Sequence, residues 1–182
     1  MSKAVREFTV FYEADGPYAV SKDYAQSIMG GAASIVSKYT GHIAMGPAKG
    51  FRLRAATNPL PNKPLSLGSD YDHAAIITGR HVGVSEGQPV PGIAHVDDAQ
   101  IAIYKFSTVE DPTGTHTMHA AVHEMGHSFG LKHCIGRLCC MNGEYSLEPS
   151  KVNPYIESGR PFCDPHAEEL EIAGFTALAK RL

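Results

Sequence analysis

A run rich in Val, Phe, Thr and Tyr from Val5 to Tyr12 predicts a first β-strand. After Ser21 the period lengthens: Tyr24, Ile28, Ala32, Ile35 and Tyr39 recur at helical intervals. Ser21 suits the N-cap of that helix, which runs to about Tyr39, and Gly41 suits its end. Gly30-Gly31 weakens a helix interior and implies close packing against a sheet. Phe51–Ala55 alternates apolar and basic residues and predicts a second strand. The Pro-, Asn-, Gly- and Ser-rich stretch from Asn58 to Asp70 is a loop. His73–Thr78 reads as a buried central strand, Ile93–Val96 as a short edge strand between Pro-Gly and Asp-Asp, and Ile101–Phe106 as a further strand. Beyond Asp111-Pro112, with Thr113 or Thr115 as cap, Met118, Ala121, Val122, Met125 and Phe129 form a second helical stripe. Asp164-Pro165 followed by Glu168-Glu169 starts a last helix, with Asp164 as N-cap and Pro165 at its first position. The expected fold is α+β: a twisted mixed β-sheet backed by helices.

The length of 182 residues suits one domain with two subdomains around a cleft. We place the division at 130/131. Residues 1–130 carry the sheet and both helices that back it, and 131–182 form a small loop-rich C-terminal subdomain. A net charge of −3 without a basic patch argues against nucleic acid as the main partner. No apolar run is long enough for a membrane span, and no signal peptide stands at the start, so a cytoplasmic monomer is the expectation.

The second helix carries the chemistry. His123 and His127 stand four apart and project from one face, so both can hold one metal ion. Glu124 lies one step round that helix, within reach of a water on the metal without being a ligand. His133 joins them only if the helix stops and the chain turns back, because each further helical residue rotates by about 100°. Gly130 stands where that break is required, since glycine accepts the left-handed conformation that ends helices. Three neutral imidazoles suit zinc and leave a fourth position open, as in catalytic sites. Zinc so held lowers the pKa of its water to about 7, and Glu124 then acts as general base in hydrolysis of a peptide or another amide. His116 and His119 fall roughly along the histidine stripe and read as a solvated face.

The set His123, Glu124, His127, Gly130 and His133 resembles the extended zinc motif of the metzincin metallopeptidases. It continues directly into Cys134, four residues, Cys139, Cys140 and Met141, which is similar to the archaemetzincins. The resemblance implies a zincin-like fold, a Met-turn at Met141 as an apolar floor beneath the metal, and a second, structural zinc site held by cysteines. Its segment matching a Cys-x-x-Cys pair is Cys163-Asp164-Pro165-His166, so histidine replaces the last cysteine. The implied second set is Cys134, Cys139, Cys163 and His166, with Cys140 as competitor for the fourth place. Cys163 and His166 straddle the expected helix start, where the dipole favours a thiolate. Disulfides and buried free thiols are the alternatives for these cysteines, and the missing secretory signal argues against the first. The cofactor expectation is two zinc ions per chain, the second stapling the C-terminal subdomain.

The expected function is zinc-dependent peptide-bond hydrolysis, with a peptide or protein as substrate. A non-catalytic zinc protein and a metalloamidase acting on a non-peptide amide are the alternatives. An extended peptide adds readily to a sheet edge, and Gly92, Ile93, Ala94 and His95 are the candidate edge. An edge strand that binds nothing has equal standing. His73, His81 and His95 read as surface or core histidines, although they could line a cleft.

Overall fold

The computed structural model describes residues 8–40, 51–56, 73–80, 82, 84–85, 88–95, 100–107, 111–135, 138–142 and 158–179. Its elements are β1 (Phe8–Glu13), α1 (Lys22–Thr40), β2 (Phe51–Ala56), β3 (His73–Thr78), β4 (Val84–Ser85), β5 (Gln88–Pro89), β6 (Gly92–His95), β7 (Gln100–Tyr104), α2 (Thr115–Ser128) and α3 (Asp164–Ala179). Five strands form one sheet in the order β2-β1-β3-β7-β6. The first four pair in parallel, and β6 closes the edge antiparallel to β7 with Gly92 opposite Ile103. The remaining strands, β4 and β5, make a separate hairpin whose two-residue arms leave no periodic signal in the sequence.

Val10, Ala75, Ile77, Ile101 and Ile103 turn one sheet face toward α1 and α2, where they meet Ile28, Met29, Ala32, Val122 and Met125. This buried cluster continues through Leu131, Cys139, Cys140, Met141, Phe162 and Leu170, so both sides of the 130/131 division share it. Tyr39 of α1 meets Phe162 edge-on, with ring centroids 5.2 Å apart. The mixed sheet backed by helices is thus as expected, and β3 is its central strand.

Three local expectations need correction. Of the Gly30-Gly31 pair, Gly31 serves packing against a helix: a Cβ there would lie 2.7 Å from Met118 Cε of α2. Neither Thr113 nor Thr115 caps α2. Gly114 occupies the N-cap position in the left-handed conformation, and Asp111 reaches over it to accept bonds from the N–H groups of His116 (3.1 Å) and Thr117 (2.8 Å) and from the Thr117 hydroxyl (2.8 Å). Asp164 is already inside α3, its carboxylate held by Arg160, and the Cys163 carbonyl accepts the first helical bond from Ala167. By contrast, the Ser21 hydroxyl does cap α1, accepting from Tyr24 N–H at 3.2 Å.

The helix α2 packs against α1 on one side and against β6 and β7 on another. His116 and His119 are therefore buried, each 1% exposed, and not a solvated face. The His116 ring stacks on Phe106 with centroids 4.1 Å apart, and burial lowers the pKa of His119 to about 3. Periodicity alone treated the polar side of α2 as its wet side. A helix enclosed on two sides has polar positions that face protein.

Candidate metal centre and active site

The end of α2 is built by the expected glycine. Gly130 has φ +92°, its N–H bonds to the His127 carbonyl (2.8 Å), and the next N–H, of Leu131, reaches back to Gly126 (3.1 Å). This pair of bonds is the Schellman closure, and buried Leu131 supplies its apolar contact. The chain then reverses and brings His133 to the helix face. The Nε2 atoms of His123, His127 and His133 converge with separations of 3.1, 3.2 and 3.0 Å.

Backbone carbonyls orient two of these rings. His123 Nδ1–H donates to the Cys140 carbonyl at 2.7 Å, and His127 Nδ1–H donates to the Leu131 carbonyl at 2.8 Å. Both rings are then Nε2-unprotonated and point lone pairs at the same spot. Two lone pairs 3.1 Å apart repel unless a cation lies between them. Tetrahedral zinc with Zn–N of about 2.0–2.1 Å separates its nitrogens by about 3.3 Å, so the donor set fits. Burial favours neutral ligands as well, lowering His123 to about 3 and moving His127 in the same direction.

The carboxyl of Glu124 is 6% exposed and faces β6. Burial pushes its pKa up to about 8, and positive charge at the three imidazoles would draw it down again. Gly92 lies against it: a Cβ there would be 2.7 Å from Glu124 Oε1 and 2.9 Å from Cδ. Of the candidate edge, Gly92 is buried while Ile93 and Ala94 are half-buried; His95 ends the strand. Met141 is fully buried beneath α2, where a Cβ on Gly126 would lie 2.5 Å from its Sδ. The Met141 carbonyl accepts from Cys134 N–H at 2.9 Å.

A second donor cluster forms immediately behind. Cys134, Cys139, Cys163 and His166 offer ligand atoms all within 4.8 Å of one another. His166 Nδ1 lies 3.1 Å from Cys139 Sγ and 3.5 Å from Cys163 Sγ. Cys140 is not in this cluster, because its Sγ turns away to the His119 carbonyl at 3.7 Å. Burial drives the Cys139 thiol up to about 12, so a cation is what would make it a thiolate. The four cysteines form no disulfide.

The two carbonyls that orient the rings, and Asp111, were not legible as site-builders. A carbonyl is present at every residue and carries no sequence signal. The candidate-cleft residue His81 and the loop Asn58–Asp70 lie outside the described residues.

Residues 55–134 match the sequence pattern of metallo-peptidase family M12B, reprolysin-like, a stretch that contains all three converging histidines. The structure superposes on archaemetzincin from Methanopyrus kandleri with a TM-score of 0.64 and 20% identity, covering 94% of this chain and 96% of that one. The fold is that of the archaemetzincins. Archaemetzincin from Archaeoglobus fulgidus, solved with malonate, gives TM-score 0.55 at 16% identity over 90% of this chain and 99% of its own. A zinc-dependent peptidase from Methanocorpusculum labreanum gives 0.55 at 12% identity, with the same coverages of 90% and 99%. The M12B match over residues 55–134 and the archaemetzincin fold agree in supporting a metallopeptidase. No helix among the described residues is long and apolar enough to cross a membrane.

Proposed function

We propose that this chain hydrolyses peptide bonds at a zinc ion held by His123, His127 and His133, with Glu124 as general base and a second, structural zinc held by Cys134, Cys139, Cys163 and His166. The observation that carries the reading is the convergence of three Nε2 atoms within 3.2 Å, next to a buried carboxyl on the same helix. Zinc would supply Lewis acidity and lower the pKa of water at its open position. Glu124 would accept the proton from that water and return it to the leaving amine, work for which its shielded position on the same helix suits it. The β6 edge, which pairs with no further strand among the described residues, offers main-chain groups from Gly92 to His95 to an extended substrate, which would align the scissile carbonyl beside Glu124. Met141 supports α2 from below, and the Cys140 carbonyl next to it holds His123 in its ligating tautomer.

The test is cleavage of a peptide library by purified protein, with Glu124→Ala as control. General-base removal costs about 10²–10⁴-fold in rate. A chelator abolishes the activity and added zinc restores it. Equal cleavage by wild type and Glu124→Ala sinks the proposal.

A further inference from the structure

We infer that Gly92 is a positioning residue for Glu124: the glycine of the edge strand leaves the space that lets the general base stand in its working position. The inference deepens the peptidase reading and rests on Glu124 having that role.

The first observation is steric. A methyl group at position 92 would fall 2.7 Å from Oε1 and 2.9 Å from Cδ of Glu124, and closer still to Cγ. Real Cβ atoms essentially never come within 3.0 Å of such neighbours, so something must move. The second observation excludes the usual reason for a glycine. The positive-φ glycines among the described residues are Gly16, Gly114, Gly130 and Gly159. Gly92 has ordinary strand backbone, which any residue adopts. What position 92 requires is room.

Neither element yields that room cheaply. The strand is held to β7 by the ladder pairing Gly92 with Ile103, and Tyr104 N–H donates to the carbonyl of Pro91 just before it (2.9 Å). On the other side, Glu124 sits mid-helix between Val122 and Met125, both fully buried. A close-packed core resists translation of such a helix. The remaining soft coordinate is the Glu124 side chain, whose carboxyl would be displaced or forced into a strained rotamer. Ala94, two residues along and so on the same strand face, also packs against the core, which keeps this side of β6 small where it approaches α2.

The test is Gly92→Ala, alone and combined with Glu124→Ala, which removes Cγ, Cδ and Oε1, the atoms the new methyl would meet. In the wild-type background Gly92→Ala is expected to lower kcat about 100-fold, the size of loss that follows misplacement by about 1 Å. KM, bound zinc and thermal midpoint should change little. In the Glu124→Ala background the same substitution should lower the residual kcat by less than about threefold, because the groups no longer meet. A crystal structure of Gly92→Ala should show the Glu124 carboxyl displaced while β6 keeps its register. If Gly92→Ala fails to fold, Glu124→Ala should restore folding. Wild-type kcat in Gly92→Ala, equal losses in both backgrounds, an undisplaced carboxyl, or failure of Glu124→Ala to rescue folding would each overturn the inference. Equal peptide cleavage by wild type and Glu124→Ala would instead remove the peptidase reading, and the position of the carboxyl in the Gly92→Ala crystal structure would still decide the steric claim.

Discussion

Replacing Gly126 by alanine tests the floor beneath the metal centre. Gly126 lies in the interior of α2, where alanine is better by about 1 kcal/mol on helix propensity alone. The structure opposes that gain. The new methyl would lie 2.5 Å from Met141 Sδ and 3.3 Å from both Met141 Cε and Leu131 Cδ1, inside the 3.4 Å at which ordinary contact begins. Met141 is 0% exposed, so its thioether has no solvent to retreat into. Overpacking of this kind costs about 1–3 kcal/mol. The single substitution should therefore range from neutral to about 2 kcal/mol destabilising. Met141→Ala by itself should cost about 2–5 kcal/mol as a cavity mutation. In that background the overlap with Met141 is gone, and Gly126→Ala should stabilise by about 1 kcal/mol. The coupling across the double-mutant cycle is then about 1–3 kcal/mol, well above the ~0.5 kcal/mol expected of independent sites. Thermal unfolding of the zinc-saturated variants reads this directly, at about 2–4 °C per kcal/mol for a chain of this size. Additivity within ~0.5 kcal/mol would show that Met141 does not press on α2 and would refute the floor as drawn.

Two further outcomes are expected. Asp111→Ala removes three hydrogen bonds at the start of α2 and should destabilise the protein by about 1–3 kcal/mol in thermal unfolding; an unchanged midpoint would mean that Gly114 ends the helix unaided. His166→Ala should reduce zinc content from two ions per chain to one by elemental analysis, with Cys140→Ala retaining two. It should also weaken the remaining ion, because Cys139 precedes the residue whose carbonyl orients His123, and lost support of this kind costs about 10–100-fold in metal affinity. Two ions in His166→Ala would show that another residue completes the cluster.

The architecture was legible wherever period and punctuation agreed. The continuous apolar run His73–Thr78 became the central strand β3, and the stripe Tyr24, Ile28, Ala32 became the core-facing side of α1. Boundaries shifted by a residue or more where an end is decided by a bond from elsewhere, as at Asp164, whose carboxylate Arg160 holds. The hairpin β4–β5 is too short to have a period, and the burial of His116 and His119 depends on what lies opposite them.

The convergence of the three histidines was written locally. Offsets of three and four residues on a helix, a glycine able to take φ +92°, and a histidine just past the turn are properties of one contiguous segment, and local sterics place them. The sequence alone therefore determined that His123, His127 and His133 meet. What it left open depended on separate segments coming together. Cys140 and His166 were both candidates for the cysteine cluster, and it is the packing of α3 against α1 that brings His166 beside Cys139 while Cys140 turns to the His119 carbonyl. The carbonyls that set the histidine tautomers, and the space at Gly92 into which Glu124 fits, were likewise decided by tertiary structure. Which group a side chain touches across the core is a matter of volume and approach, and no spacing along the chain encodes it.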